Sequence, residues 1–163
     1  MLDVLKPTCI TYVCMYHFGY GSNLNLDFLR QYVPSAEFVM KAYLPNYEVQ
    51  FRFWSKRRQG GISSIIEKPG GLVHGVIYDC DEKELIELDI LESVPQGLYN
   101  RETFKVLGEN GAWIDADLYR VAKPKGPFTP ARGYVELMIT GARAHGLDPE
   151  YIKVIEAIYE HSF

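Results

Sequence analysis

The sequence has no long apolar run. No uninterrupted stretch approaches the roughly 20 residues of a membrane-spanning helix, which excludes that class of protein. Cysteine is scarce. The three present, Cys9, Cys14 and Cys80, are odd in number and form no CxxC pair, so a disulfide scaffold is not expected and a reducing cytoplasm is. Positive charge is in deficit. Seventeen Lys and Arg face 21 Asp and Glu for a net −4, the reverse of a dedicated nucleic-acid binder. The start, Met1 to Thr11, lacks the basic region and apolar stretch of a secretory signal. His17, His74, His145 and His161 are scattered, and none pairs with Cys, Asp or Glu at metal-ligand spacing. Internal repeats, low-complexity tracts and linkers are also missing.

What is there is a chain of 163 residues, expected to form one domain over 1–163 at a soft prior of roughly 150 residues per domain. Hydrophobic residues make up 47%, enough to bury one core. Twelve of the aromatics are Tyr, which packs with its ring and hydrogen-bonds with its hydroxyl.

Cys9 to Tyr20 reads as a strand stopped by Gly19-Tyr20-Gly21-Ser22-Asn23, with a short helix over 26–32 capped by Asn25 and ended by Pro34. Residues 36–44 and 47–54 read as strands about a Pro45-Asn46 turn, followed by a basic loop over 55–61. Residues 62–67 and 72–80 read as strands about a Pro69-Gly70-Gly71 turn. A helix follows over 82–91, where Asp81 and Glu84 have capping-box spacing with Asp in the place of Ser or Thr. Residues 101–107 and 113–121 alternate as a hairpin. Three prolines make 123–130 a loop, and a loop between a strand and a helix often borders a site, so it is expected to close as a lid. Helices over 131–145 and 149–160 end the chain, the second with Asp148 as N-cap and Pro149 at its first position, and Gly146 separates them. This order predicts an α+β fold: a small mixed β-barrel or strongly bent sheet with flanking helices.

Two places could carry chemistry. The glycine turn begins like a dinucleotide fingerprint but lacks the third Gly. It reads either as a plain strand-to-helix turn or as a nest of backbone N–H groups that attracts a carboxylate or oxyanion. Leu85, Leu88 and Glu92 share one helical stripe, which aims a carboxylate inward at a helix C-terminus. Desolvation and the helix dipole would both raise its pKa, as suits a general base near neutral pH. Spacing alone leaves open an earlier end to the helix, with Glu92 solvated in a loop. Arg52, Lys56, Arg57 and Arg58 around Trp54 read as a solvated loop or as a contact for an anion or nucleic acid.

The segment Phe18-Gly19-Tyr20-Gly21-Ser22-Asn23-Leu24 resembles the YGSN loop of γ-glutamylcyclotransferases. Leu88-Asp89-Ile90-Leu91-Glu92-Ser93-Val94, followed by Tyr99, looks like the segment that carries that family's catalytic glutamate. Pro34-Ser35-Ala36, Gly60-Gly61-Ile62, Gly75-Val76, Gly141-Ala142 and Gly146-Leu147 with Glu150-Tyr151 are similar to further elements, so the resemblance spans nearly the whole chain. It implies a small mixed barrel with flanking helices. It implies Glu92 as general acid/base, and substrate contacts from His17, Phe18, Gly19, Tyr20, Gly21, Ser22, Asn23, Leu24, Tyr99, Tyr119 and Tyr134. His17 departs from the pattern, since relatives carry an aromatic there. The implied ligand is a small γ-glutamyl molecule, with no metal, cofactor, nucleic acid or membrane involved, and a homodimer is left open. The implied reaction is attack of the γ-glutamyl α-amine on its own γ-carbonyl, giving 5-oxoproline and a free amino acid or amine. A γ-glutamylamine cyclotransferase or a biosynthetic γ-glutamyl deprotecting enzyme shares that chemistry. A binding module without turnover is the competitor from another class.

Overall fold

The computed structural model describes residues 13–163. Strand β1 (Cys14–Gly19) follows directly, so the expected start at Cys9, and Cys9 itself, lie outside the described residues. A single 3₁₀ turn (Ser22–Leu24) leads into α1 (Leu26–Arg30), where the Asn25 side chain accepts from Phe28 N at 3.0 Å, as a cap should. Next come β2 (Glu37–Ser55), β3 (Gly60–Asp81), α2 (Glu82–Leu91), β4 (Tyr99–Gly108) and β5 (Trp113–Val121). Helices α3 (Arg132–Ala144) and α4 (Pro149–Glu160) follow. The strands close into a barrel in the order β1-β3-β2-β4-β5. All neighbours are antiparallel except at the seam, where β1 meets β5 in parallel at His17 and Asp117. This is the mixed barrel with flanking helices that the sequence predicts.

The strand boundaries in the middle of the chain differ from expectation. Pro45-Asn46 and Pro69-Gly70-Gly71 do not end strands. Residues 37–55 and 60–81 form one long hairpin, paired from Ser55 with Gly60 back to Glu37 with Asp79. The register slips between Pro45 and Tyr47, where Leu72 and Glu67 are the respective partners. Asn46 has φ 66° and Gly70 has φ 80°, and Gly70 N donates to Asn46 Oδ1 at 3.1 Å. Turn chemistry is thus present, but it builds a bulge that bends the ribbon and lets it wrap into a barrel.

Period-two alternation splits the strands between two cores. Phe18, Leu44, Ile65, Ile77, Val106 and Leu118 belong to one cluster, to which all five strands contribute. Val76, Tyr78 and Cys80 face the other way, into a cluster with Leu29, Leu85, Leu88, Met138 and Ile155 that joins the helices to the barrel. Helix α2 begins with Asp81 accepting from Lys83 N at 3.1 Å. Glu84 does not reach back to complete the expected capping box. Ser35 stands between the two: its Oγ accepts from Asp81 N at 2.8 Å, and its own N–H and hydroxyl donate to Glu84. The start of α2 is thereby tied to the segment after α1. Helix α3 lies against the 3₁₀ turn, and a Cβ on Gly141 would meet Leu24 O at 2.2 Å, so only glycine permits that approach.

Candidate active site

A cavity of about 260 Å³ opens beside the end of β1. His17 through Asn23 form one wall, and Glu92, Tyr99, Tyr119 and Tyr134 form others. Leu24 is the exception among the expected contacts. It is fully buried in the helix-facing core, because the 3₁₀ turn directs it under α3 rather than into the cavity.

Glu92 caps α2. Its N–H donates to Leu88 O at 2.9 Å, so the helix runs up to it rather than fraying, and Leu85 and Leu88 are buried as the stripe predicts. The chain then turns sharply. Ser93 N donates to Ile90 O at 3.1 Å and Val94 N to Asp89 O at 2.9 Å, the paired bonds of a Schellman motif. Ser93 holds the left-handed position at φ 55°, where glycine is usual. The side chain of Glu92 is partly buried and enters the cavity wall. Among the described residues no group donates a hydrogen bond to its carboxyl. Burial is the leading influence on its acidity; Arg58 opposes it and Asp89 adds to it, and the net effect pushes the pKa up to about 7.

The last turn of α2 is fastened to the barrel by a polar cluster. Asp89 Oδ1 accepts from Arg101 Nε at 2.8 Å and from the Tyr119 hydroxyl at 2.6 Å. Arg101 Nη1 reaches Asp117 Oδ2 at 2.9 Å, and Thr103 Oγ1 donates to Asp117 Oδ1 at 2.6 Å. Each carboxylate is therefore paired and hydrogen-bonded, the condition under which buried charge is tolerated.

The opposite wall is the glycine turn. Leu24 N donates to Gly21 O and Asn25 N to Ser22 O, both at 3.0 Å. Among the described residues the N–H groups of Gly21, Ser22 and Asn23 have no acceptor, so they remain available to a ligand. Gly21 lies so close to β3 that a Cβ there would meet Ser63 Oγ at 2.1 Å. The ring of His17 is held at both nitrogens. Asp117 O can only accept, so Nδ1 donates to it (3.1 Å), and Nε2 accepts from Asn23 Nδ2 (3.0 Å). Burial lowers its pKa to about 4, which keeps the ring neutral and suited to both bonds.

The tyrosines offer the cavity rings more than hydroxyls. Tyr20 donates to Tyr119 O, Tyr99 to Ser63 O at 3.2 Å, and the Tyr134 hydroxyl lies 2.7 Å from Ser63 Oγ. Burial raises the pKa of Tyr20, Tyr99 and Tyr119, so they stay protonated beside Glu92. Ser63, Phe28, Arg57 and Arg58 also line the cavity, and the sequence did not single them out as contacts there. Arg58 stacks over Phe28 (5.3 Å) and Tyr134 (5.1 Å), a placement that only the assembled fold reveals. Its one signal in the sequence is membership of the basic loop.

The Lys123–Pro130 segment does not border this cavity. Lys125 N donates to Arg52 O at 2.9 Å and Phe128 N to Phe51 O at 2.8 Å, which fastens the segment along β2. Lys123, Lys125 and Phe128 line a second cavity instead, so the expected lid has no place over Glu92.

The fold is thus a small mixed barrel whose cavity is lined by a desolvated carboxyl and by a glycine turn with unused backbone amides. The sequence pattern of the AIG2-like family matches residues 72–155. The mouse and human γ-glutamylcyclotransferases are each 30% identical to this chain over 151 residues, covering 90% of it and 80% of the relative. A solved structure of a γ-glutamyl cyclotransferase superposes with a TM-score of 0.85 at 29% identity, covering 89% of this chain and 88% of that one. The chain belongs to the AIG2-like γ-glutamylcyclotransferase family.

Proposed function

We propose that this protein converts γ-glutamyl compounds to 5-oxoproline and a free amine, with Glu92 as the general acid/base. The observation that carries the reading is the Glu92 carboxyl itself: in the cavity wall, without a hydrogen-bond donor among the described residues, its pKa raised to about 7. The α-ammonium of the substrate gives a proton to the Glu92 carboxylate. The freed amine attacks the γ-carbonyl carbon of the same residue, forming the C–N bond of a five-membered lactam. Glu92 hands its proton to the leaving nitrogen and takes the second proton from the attacking nitrogen. The bond to the leaving amine breaks as the carbonyl re-forms, and the released amine carries that last proton away as an ammonium. Atoms and charge balance without an enzyme nucleophile.

The cavity contributes by holding the bent conformer. Well-oriented intramolecular reactions reach effective molarities on the order of 10⁵–10⁸ M. The N–H groups of Gly21 to Asn23 receive either the developing oxyanion or the α-carboxylate. The rings of Tyr99, Tyr119 and Tyr134 bound the aliphatic part, and His17 fixes Asn23. Cys14 and Cys80 are free thiols, in keeping with a reducing cytoplasm.

The test is direct. Incubation with a panel of γ-glutamyl amino acids and amines, followed by mass spectrometry, should show 5-oxoproline from at least one member. Wild-type turnover in Glu92→Gln would remove Glu92 from the mechanism.

A further inference from the structure

The second cavity, of about 310 Å³, lies next to the first. The two share Phe53 and Leu98 in their linings, so they adjoin at these two side chains. Their charge differs. Arg52, Lys123 and Lys125 line the second cavity and, among the described residues, no carboxylate does. In a chain of net −4 this is a local concentration of positive charge. The apolar surface is aromatic: Trp54 is partly exposed and packs edge-on against Phe128 at 6.0 Å.

The cations are placed rather than merely present. Arg52 Nε donates to Gln50 Oε1 at 2.6 Å and Nη1 to Gly126 O at 3.0 Å, which fixes its guanidinium. The main-chain bond from Lys125 to Arg52 holds the lysine-bearing segment against β2. Among the described residues, neither Lys123 nor Lys125 has an ion-pair partner. Cations and flat rings around an open cavity suit an organic anion.

We propose that this cavity is the subsite for the leaving amine, and that it favours amines that carry more than one carboxylate. The inference rests on the cyclotransferase reading above. With the γ-glutamyl head between Glu92 and the glycine turn, the remainder of the substrate leaves over Phe53 and Leu98. A second or third carboxylate on that remainder meets Lys123, Lys125 and Arg52. Charge at the rim acts mainly through substrate capture and is screened by salt.

The test compares γ-glutamyl-glutamate, γ-glutamyl-alanine and γ-glutamyl-alaninamide in the wild type and in Lys123→Gln/Lys125→Gln. Both lysines are exposed, so folding should be retained. The double variant should raise KM for γ-glutamyl-glutamate about five- to tenfold, leave its kcat unchanged, and leave the alaninamide unaffected. High salt should reproduce the effect in the wild type. In Trp113→Phe, which leaves Trp54 as the sole tryptophan, γ-glutamyl-glutamate should change the fluorescence more than the alaninamide does. Equal kinetics for all three substrates in both proteins would overturn the subsite and leave the cyclotransferase reading standing. A Trp54 response to free succinate, with no lysine dependence of KM, would make the cavity an independent anion site and overturn the proposal. No 5-oxoproline from any of the three, or from the wider panel, would overturn both readings.

Discussion

The Tyr119 hydroxyl donates to Asp89 Oδ1 at 2.6 Å, and through that contact the last turn of α2 is registered against β5. Asp89 sits one helical turn before Glu92, so what holds it also aims the proposed base. Arg101 supplies the second hold, with Asp117 behind it.

Replacing Arg101 by Gln removes the shared cation and leaves two largely buried carboxylates unpaired. Breaking a buried pair costs about 3–5 kcal/mol. The expected outcome is a loss of stability of that order in chemical denaturation, with reduced kcat at temperatures where the variant is still folded. A change within 0.5 kcal/mol, the range of ordinary surface substitutions, would mean the cluster is not what fixes α2.

Glu92→Gln should reduce turnover about 10²- to 10⁴-fold, the usual contribution of a positioned base. It should also stabilise the protein, but only at pH values above the unfolded carboxyl's pKa. The folded pKa of Glu92 lies above the unfolded one, so the folded state binds the extra proton between the two values. The native carboxyl therefore costs nothing below the unfolded pKa, and its penalty grows as pH rises through about 7. Melting curves should show Glu92→Gln above wild type at pH 8 and level with it at pH 4, with a shift of roughly 2–4 °C for each kcal/mol relieved.

The pH dependence of kcat/KM should rise with a midpoint near 7, because the carboxyl must be deprotonated to accept the substrate's proton. Arg58 holds that midpoint down and Asp89 holds it up. Arg58→Gln should move the acid limb to higher pH, and Asp89→Asn should move it to lower pH. Limbs that move together, or in the opposite senses, would disconnect Glu92 from the titration.

Gly21→Ala should close the mouth of the site, since the new Cβ falls 2.1 Å from Ser63 Oγ. Ser63→Ala removes that oxygen and leaves the Tyr134 hydroxyl at 3.1 Å and the Ser63 Cβ at 3.3 Å, contacts that small shifts relieve. The double variant should therefore recover part of the activity lost by Gly21→Ala. Losses that simply add would place the glycine requirement elsewhere.

Ser93 gives a stability prediction independent of the chemistry. A left-handed conformation costs an L-residue roughly 1–2 kcal/mol. Ser93→Gly should stabilise by up to about 1 kcal/mol, and Ser93→Val should destabilise by more than that. Thermal melts of the two variants decide it.

Local patterns carried much of this structure in the sequence. Spacing to Leu85 and Leu88 puts Glu92 on the inward stripe only if the helix runs that far, and the bond from Glu92 N to Leu88 O decides that it does. The caps at Asn25, Asp81 and Asp148 followed from side chains acting on nearby amides. What was hidden depends on partners distant in the chain. Arg58 looks solvated until Phe28 and Tyr134 arrive on either side of it. Pro45-Asn46 looks like a turn because a bulge uses the same residues, and only the opposing strand distinguishes the two. Glu84 has capping-box spacing, yet Ser35 claims it from another segment. Three prolines mark 123–130 as a loop between a strand and a helix, but which cavity it borders is set by its main-chain bonds to β2.

The barrel closes where β1 meets β5 at His17 and Asp117. These two residues also support the site: one braces Asn23, and the other braces Arg101. Opening the seam and disassembling the cavity wall are consequently one cooperative event. Amide protons on both sides of the seam should exchange only through global unfolding, at the rate at which activity is lost on denaturation.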